Sequence, residues 1–258
     1  MAKKIAIVNH KGGTAKTTTT YCLAYAKAKL GKTVLMIDMD PQFNLTTYTG
    51  ASPDSPEYEN LNSSRLFEGD INPLACCFTV EAIPKKLRLY LCPGTELLAS
   101  KNVDLSSSDK KGLDYFLNNI KEMDPYFDYI FIDCLPGVSE LMIAALLASD
   151  MAIIPSDPGL LSISGIDAIF RIVHTINNAD AKLPHNRELK ILGVVATRVK
   201  ATKKHKMYLE EIQERYDMLG VIPESSLVTE DLEIGLPVNA KHASSAAGKA
   251  YMNLAEKM

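Results

Sequence analysis

The stretch IAIVNHKGGTAKTT, residues 5–18, decides the fold of this chain. A short apolar run is followed by a glycine loop and then by an alanine-rich segment that predicts a helix. Gly12 and Gly13 let the backbone curl so that successive N–H groups point inward, and the helix that begins near Lys16 adds the positive end of its dipole. This strand, loop and helix therefore predict a phosphate cradle.

The polar side chains of the loop match the parts of a nucleoside triphosphate. Lys16 would reach the β- and γ-phosphates, Thr17 would offer its hydroxyl to Mg²⁺, and Thr18 would donate to the α-phosphate. The predicted nucleotide contacts from this stretch are Lys11, Gly12, Gly13, Thr14, Ala15, Lys16, Thr17 and Thr18. The alternative is a glycine-rich strand-to-helix turn that holds no ligand.

The loop departs from the common pattern G-x-x-x-x-G-K-[ST] at two positions, because His10 and Ala15 replace its glycines. The pattern that fits, K-G-G-x-x-K-T-T, resembles the ParA family of ATPases, including its septum-positioning and nitrogenase-reductase relatives. Most of those proteins carry glycine at the position of Ala15. The methyl group crowds the phosphate, or costs about 1 kcal/mol if the position needs a positive φ. We expect a lowered nucleotide affinity in an unchanged fold.

A second motif, VLMIDMDPQ at residues 34–42, is an apolar strand that ends in two carboxylates. Alternation along a strand points Asp38 and Asp40 to the same side, at the carboxyl end where open α/β sheets bind ligands. Two acids beside a phosphate cradle imply a cation between them. The resemblance to ParA proteins implies that Asp40 orients the attacking water and that Asp38 supports the Mg²⁺ shell. The alternative is that both acids only cap the turn before Pro41.

A third apolar run, residues 129–132, is closed by Asp133. It looks like the second Walker strand, whose aspartate holds Mg²⁺ through a water and whose following loop senses the γ-phosphate. Leu135 stands where the ParA family usually has proline, which affects the geometry of that loop and not the role of the carboxylate. Three motifs in this order, each at a strand end, indicate an ATPase that uses ATP and Mg²⁺.

Lys11, at the start of the loop, is the additional lysine of ParA-like proteins. The resemblance implies that it crosses a two-fold interface and touches the phosphates of a partner subunit, so that the homodimer depends on the γ-phosphate of ATP. It also assigns catalysis to Lys11, Lys16 and Asp40, with slow turnover until a partner, commonly a ParB-like adaptor protein, completes the site. The alternative is a surface lysine that acts only within its own subunit.

Residues 198–206, RVKATKKHK, contain five basic residues in nine and no acid, in a chain whose net charge is only −3. Such a local basic patch is a candidate binding surface for the phosphate backbone of a nucleic acid. In ParA relatives, basic residues of this region bind DNA without sequence preference once ATP has dimerised the protein. We therefore expect nonspecific binding of double-stranded DNA, and association with the nucleoid, through Lys200, Lys203, Lys204 and Lys206. The alternative is a solvated face.

The family resemblance puts adenine between residues 197–198 and residues 221–224, where an apolar backbone and a proline face can pack against the purine ring. The residues assigned to this contact are Arg198 and Pro223. The alternative for Pro223 is that it only terminates a strand. Arg198 could belong either to the adenine pocket or to the basic segment. The sequence leaves both alternatives open.

The chain has 258 residues, of which 47% are hydrophobic, so it can bury a large core. Strand and helix patterns alternate throughout, and we expect a single domain, residues 1–258, with a doubly wound, mostly parallel α/β sheet flanked by helices. Strands are predicted at residues 4–9, 33–38, 87–91, 129–133, 151–155, 189–197 and 220–223. The helices predicted with most regular spacing are 17–30, 113–123 and 162–177.

No apolar run reaches the roughly 18 residues that span a bilayer, and no signal peptide is recognised, so we expect a cytoplasmic protein without a membrane partner. One alternative is a membrane-recruited ATPase of the septum-positioning type, which needs a basic amphipathic C-terminal helix that residues 254–258 do not resemble. The other is an iron–sulfur reductase, for which Cys92 and Cys134 are available while the glycine-rich cysteine loops are missing.

Overall fold

The computed structural model describes residues 1–52, 55–105, 111–178 and 188–258. Its strands are β1 (Lys3–Ile7), β2 (Val34–Asp38), β3 (Phe78–Thr79), β4 (Leu89–Cys92), β5 (Tyr129–Asp133), β6 (Met151–Ser156), β7 (Lys190–Val199) and β8 (Met218–Pro223). They form one sheet in the order β3-β4-β2-β5-β1-β6-β7-β8. All neighbouring strands are parallel except β3 and β4. The predicted fold class is therefore confirmed.

Helices connect the parallel strands, as crossovers between parallel neighbours require. They are α1 (Lys16–Lys29), α2 (Asn44–Tyr48), α3 (Leu98–Leu105), α4 (Lys111–Met123), α5 (Glu140–Ala148), α6 (Ser162–Asn177), α7 (Lys203–Arg215), α8 (Ser226–Glu233), α9 (Val238–Lys241) and α10 (Ala246–Glu256). Hydroxyl side chains cap several of them: Ser139 accepts from an N–H of α5, Thr202 from one of α7 and Ser245 from one of α10.

The seven predicted strands are all present, with ends shifted by no more than two residues. The strand predicted at 87–91 begins only at Leu89, because residues 85–87 form a 3₁₀ turn and Arg88 has a φ of 41°. β3 was not predicted, since a two-residue strand has no periodicity. The predicted helix 162–177 coincides with α6, while α1 and α4 differ from their predictions by one and two residues at their ends.

Separate helical layers cover the two faces of the sheet. Successive side chains of a strand point to opposite faces. Ile5 and Ile7 therefore pack with residues of α1, α8, α9 and α10, whereas Ala6 and Val8 pack with residues of α3, α4, α5 and α6. With both faces covered, the central strands are hydrophobic at nearly every position.

The loop after β1 lies where the two halves of the sheet diverge. From β1 the chain continues to β2 and β4 on one side, returns through β5, and then continues to β6, β7 and β8 on the other side. Such a point leaves a crevice at the carboxyl ends of the strands, where open α/β sheets bind their ligands. The three sequence motifs all end at this edge.

A buried ion cluster lies at the opposite edge of the sheet, near the start of β1. The ammonium of Lys4 is 3.0 Å from a carboxylate oxygen of Asp124 and 3.3 Å from one of Asp150. Lys4 and Asp124 are almost fully buried. Removing the lysine would leave the Asp124 charge in a poorly solvated position, which is costly.

We expect Lys4→Met to lower the free energy of unfolding by about 3 kcal/mol, because it removes the cation from a buried ion cluster. Urea denaturation followed by circular dichroism measures this change. The matched control is Lys32→Met, at an exposed lysine, which should change stability by no more than about 0.5 kcal/mol. Equal effects of the two substitutions would contradict the prediction.

Candidate nucleotide-binding site

The phosphate loop has the backbone that its glycines predict. Gly13 has a φ of 68° and Ala15 a φ of 62° and a ψ of 35°, both in the left-handed region. α1 begins immediately afterwards at Lys16, as predicted. The carbonyl of Thr14 accepts a hydrogen bond from the hydroxyl of Thr197, at 3.1 Å, which ties the loop to the end of β7. Ala15 therefore occupies a backbone conformation that costs an alanine about 1 kcal/mol.

Lys16 is buried at the base of the loop. Its ammonium donates to the carbonyl of Lys11 at 3.3 Å. Burial lowers the pKa of Lys16, and the nearby carboxylates of Asp133 and Asp40 act in the opposite direction. The lysine thus lies in the field of two carboxylates, next to the loop whose ligand it is predicted to bind.

Asp133, at the end of β5, is fully buried and incompletely satisfied. One carboxylate oxygen accepts from the hydroxyl of Thr20 at 3.0 Å, but the other has no hydrogen-bond partner among the described residues. Burial, and then the charge of Asp38, raise the pKa of Asp133 to about 8, while the nearby hydroxyls of Thr17 and Thr20 act in the opposite direction. A buried carboxylate oxygen without a partner beside a threonine hydroxyl fits a hard cation such as Mg²⁺.

Asp38 is adjacent to Asp133 in the β2–β5 register. One of its oxygens accepts from the N–H and the hydroxyl of Thr46, at 2.9 and 2.7 Å, and the other accepts from the N–H of Asp40 at 3.2 Å. Burial raises the pKa of Asp38 to about 6. Both oxygens are occupied by donors of the chain itself, so the contacts of Asp38 orient the following loop and α2, whereas the oxygen open to a cation belongs to Asp133.

Asp40 begins the loop that Asp38 orients. Its side chain accepts from the N–H of Gln42 at 2.9 Å, and its backbone carbonyl accepts from the N–H of Phe43 at 2.8 Å. The residue is 7% exposed. The contact with Gln42 restrains the Asp40 carboxylate. Burial lowers the pKa of Lys16, and this carboxylate is close enough to that lysine to act in the opposite direction.

A cavity of about 870 Å³ opens beside the loop. Its wall includes the predicted contacts Gly13, Ala15, Thr18, Arg198 and Pro223. Thr197, Ile222 and Glu224 also line the cavity, and they belong to the two segments between which the sequence put adenine. The sequence did not identify the rest of the wall, which is formed by Tyr48, Ser225, Ser226, Val228, Thr229, Leu232, Glu233 and Tyr251. These residues come from α2, α8, α10 and the turn before α8, and an arrangement across such distant segments leaves no local pattern in the sequence.

Arg198 and Lys11 meet at Asp157, a residue that the sequence did not single out. The guanidinium of Arg198 donates to the carbonyl of Gly13 and lies 2.7 Å from Asp157, and the ammonium of Lys11 lies 3.2 Å from the same carboxylate. Arg198 has a positive φ of 51°. Of the two alternatives for Arg198, these contacts favour the nucleotide side over the basic segment.

The four lysines of the basic segment are exposed at the end of β7 and the start of α7. Lys200 is 3.0 Å from Glu224, a residue of the cavity wall, and Lys206 is 3.9 Å from Glu210. Lys203 and Lys204 make no ion pair with other described residues. The segment therefore adjoins the cavity at the same edge of the sheet.

The doubly wound sheet and the loop after its central strand together define a P-loop nucleotide-binding protein of the deviant Walker A type. A family model described as an AAA domain matches residues 2–191. The sporulation initiation inhibitor protein Soj of Bacillus subtilis is 31% identical over 100% of this chain and 98% of its own length. The chain belongs to the ParA family of partition and positioning ATPases.

Solved structures agree with this assignment of the fold. Apo McdA from Cyanothece has a TM-score of 0.84 at 23% identity, with 100% of this chain and 99% of that chain covered. The cell division ATPase MinD of Pyrococcus furiosus has a TM-score of 0.74 at 26% identity, with 100% of this chain and 98% of that chain covered. Among the described residues, none of the helices combines the length and apolar character that crossing a bilayer requires.

We expect Ala15→Gly to raise the free energy of unfolding by about 1 kcal/mol, because glycine adopts the left-handed conformation of this position without strain. Urea denaturation without nucleotide measures the change. Ala24→Gly, in the interior of α1, is the control and should instead destabilise the protein by about 1 kcal/mol or more. Destabilisation by both substitutions would contradict the strain at Ala15.

We expect Asp133→Asn to make stability less sensitive to pH between pH 6 and 8. The pKa of Asp133 is raised from near 3.8 to about 8, so the folded state keeps a proton that the unfolded state has released. Stability therefore falls as pH rises through this range, by up to about 1.4 kcal/mol per pH unit. Asp38, with a pKa of about 6, contributes in the same direction mainly at lower pH.

Urea denaturation at pH 6, 7 and 8, in the presence of a chelator and without nucleotide, measures this slope in both proteins. The variant should gain stability relative to the wild type as pH rises. Parallel pH profiles would show that Asp133 is not protonated in the folded protein.

Proposed function

We propose that this chain is an ATPase that dimerises on ATP, binds DNA without sequence preference in that state, and releases it on hydrolysis to segregate or position a cargo. The observation that carries the proposal is the position of four exposed lysines beside the nucleotide cavity, joined to its wall by the Lys200–Glu224 ion pair. A plasmid, a chromosome region or a protein assembly would serve as cargo.

ATP would lie with its phosphates at the loop and its adenine in the cavity toward Arg198 and Pro223. Lys16 would bind the β- and γ-phosphates, and Thr18, which also lines the cavity, would donate to the α-phosphate. Thr17 and Asp133 would hold Mg²⁺. Asp38, whose charge acts on Asp133, would support that site electrostatically. The cation would supply charge neutralisation of the β- and γ-phosphates.

Hydrolysis in this site would rely on orientation and charge. Asp40, held by the N–H of Gln42, would orient the attacking water. Lys16 in the same subunit and Lys11 from a partner subunit would stabilise the negative charge of the γ-phosphoryl group in the transition state. Turnover would remain slow until a ParB-like or other adaptor protein completes the arrangement.

Dimerisation would follow from the position of Lys11. Its side chain is 38% exposed at the edge of the phosphate loop, so it can exchange its contact within the subunit for the phosphates of a partner. Sharing one triphosphate between two chains makes the homodimer depend on the γ-phosphate. Two basic segments would then face the same DNA duplex, and the protein would associate with the nucleoid while ATP is bound.

The two alternative functions have less support. The candidate cluster ligands Cys92 and Cys134 are both buried, with exposures of 0% and 1%, so neither thiol is accessible to a cluster shared with a partner subunit. α10 packs Tyr251 and Leu254 into the core against α1 and β8, so its apolar face is not available to a membrane surface.

We expect the protein to bind a random-sequence DNA duplex in ATP and Mg²⁺, and not in ADP or without nucleotide. Fluorescence anisotropy across a salt series measures this binding, which should weaken by about 0.9 log units per log unit of salt for each phosphate contact. Replacing Lys200, Lys203, Lys204 and Lys206 together by glutamine should abolish DNA binding and preserve ATPase activity.

The matched control replaces four exposed lysines near the amino ends of the strands, at the edge away from the site: Lys29, Lys32, Lys85 and Lys86. This control removes the same charge and should retain DNA binding. Lys16→Ala should lose both ATP binding and DNA binding. Binding that is equal in all nucleotide states, or that both quadruple variants lose equally, would contradict the proposal.

A further inference from the structure

One carboxylate pairs with both exposed cations at the rim of the phosphate loop. Asp157 follows β6 directly, and its two oxygens are 3.2 Å from the ammonium of Lys11 and 2.7 Å from the guanidinium of Arg198. The same guanidinium donates to the carbonyl of Gly13. Ion pairs thus connect three segments at the entrance to the cradle: the loop after β1, the turn after β6 and the end of β7.

The segment that carries Asp157 is itself held in one conformation. The hydroxyl of Ser162 donates to the backbone carbonyl of Asp157 and accepts from the N–H of Gly159, at 2.5 and 2.7 Å. Ser162 is 2% exposed. The backbone of Asp157 is therefore held by a closed turn, through contacts that do not involve the two cations.

The two ion pairs are too exposed to be explained by folding stability. The side chains of Lys11 and Arg198 are 38% and 50% exposed, and that of Asp157 is 23% exposed. Ion pairs in such positions contribute little to the free energy of folding because water screens them. Their electrostatic effect on a polyanion in the adjacent cradle is larger, since the negative charge of Asp157 repels phosphate and occupies the cations that would attract it.

We infer that Asp157 is a specificity-determining residue that competes with nucleotide phosphates for Lys11 and Arg198. This inference rests on the proposed nucleotide-binding function. Binding of a polyphosphate requires the two cations to exchange the Asp157 carboxylate for phosphate oxygens, and the repulsion from Asp157 grows with the charge of the ligand. Asp157 therefore weakens the binding of ATP more than that of ADP, and that of ADP more than that of AMP. In the proposed dimer, the phosphate oxygens that Lys11 gains in this exchange are those of the partner subunit's nucleotide.

The first test compares nucleotide affinities of the wild type and Asp157→Asn by isothermal titration calorimetry with ATP, ADP and AMP. The variant should bind ATP about three- to tenfold more tightly, as expected for the loss of two partly exposed ion pairs, and ADP by a smaller factor. AMP affinity should change by less than about twofold, since AMP carries the smallest phosphate charge. Glu214→Gln, at an exposed position of α7, removes the same charge away from the loop and should leave all three affinities unchanged.

The second test needs no nucleotide. Acylation of lysines by an N-hydroxysuccinimide ester, followed by mass spectrometry of peptides, reports how accessible each ammonium is. Lys11 should react several times faster in Asp157→Asn than in the wild type, while Lys32, which is exposed in both, should react at the same rate.

The two tests separate the possible outcomes. Unchanged labelling of Lys11 would show that Asp157 does not hold the Lys11 ammonium, which would overturn the inference. Faster labelling with equal or weaker ATP affinity in the variant would overturn the competition. A lowered melting temperature with uniformly weaker binding of all three nucleotides would mean that Asp157 is a structural residue. The wild type could also bind no nucleotide at all while Lys11 is labelled faster in the variant. This result would refute the proposed function and the competition, and it would leave only the ion pair between Lys11 and Asp157 supported.

Discussion

The site depends on one constraint, the insertion of β5 between β1 and β2. Parallel pairing aligns Asp133 with Ile7 on one side and with Asp38 on the other. Because the phosphate loop begins two residues after Ile7, backbone hydrogen bonds of the sheet bring it beside two buried carboxylates. Side chains of the loops then only adjust an arrangement that the strand order has already determined. This is why the predicted site residues lie at the carboxyl ends of the strands and in the first turn of α1.

Burial makes this arrangement electrostatically unfavourable without a ligand. It raises the pKa of Asp133 and Asp38 and lowers that of Lys16, because charged groups in a poorly solvated site lose hydration. One oxygen of Asp133 lacks a partner, and Ala15 holds a strained backbone at the same loop. These costs are local to the place where a cation and a polyphosphate would bind. A ligand that supplies the missing charges would therefore stabilise the folded protein more than the contacts alone indicate.

The sequence predicted the parts of the structure that short segments determine. All strands except β3 follow from short apolar runs, α1 and α6 follow from apolar residues at helical spacing, and the backbone of Gly13 and Ala15 follows from the loop pattern. It did not predict Asp157, because that residue reaches Lys11 across 146 positions of the chain. The contacts of Thr46 with Asp38 were not predicted either, because the two donors of Thr46 lie in α2, eight residues after Asp38.

The residues at the end of β7 and just after it contact the nucleotide cavity in two ways that their composition does not distinguish. Arg198, in a left-handed conformation, turns to the phosphate loop, whereas Lys200 pairs with Glu224 in the cavity wall. The N–H of Glu224 donates to the carbonyl of Val199 at 3.0 Å, so the acid and the basic segment are joined through the backbone as well. A ligand that displaces Asp157 or Glu224 from its cation changes the positive charge that this segment presents to solvent. In the proposed function, occupancy of the cavity would in this way alter the attraction of the segment for an external polyanion.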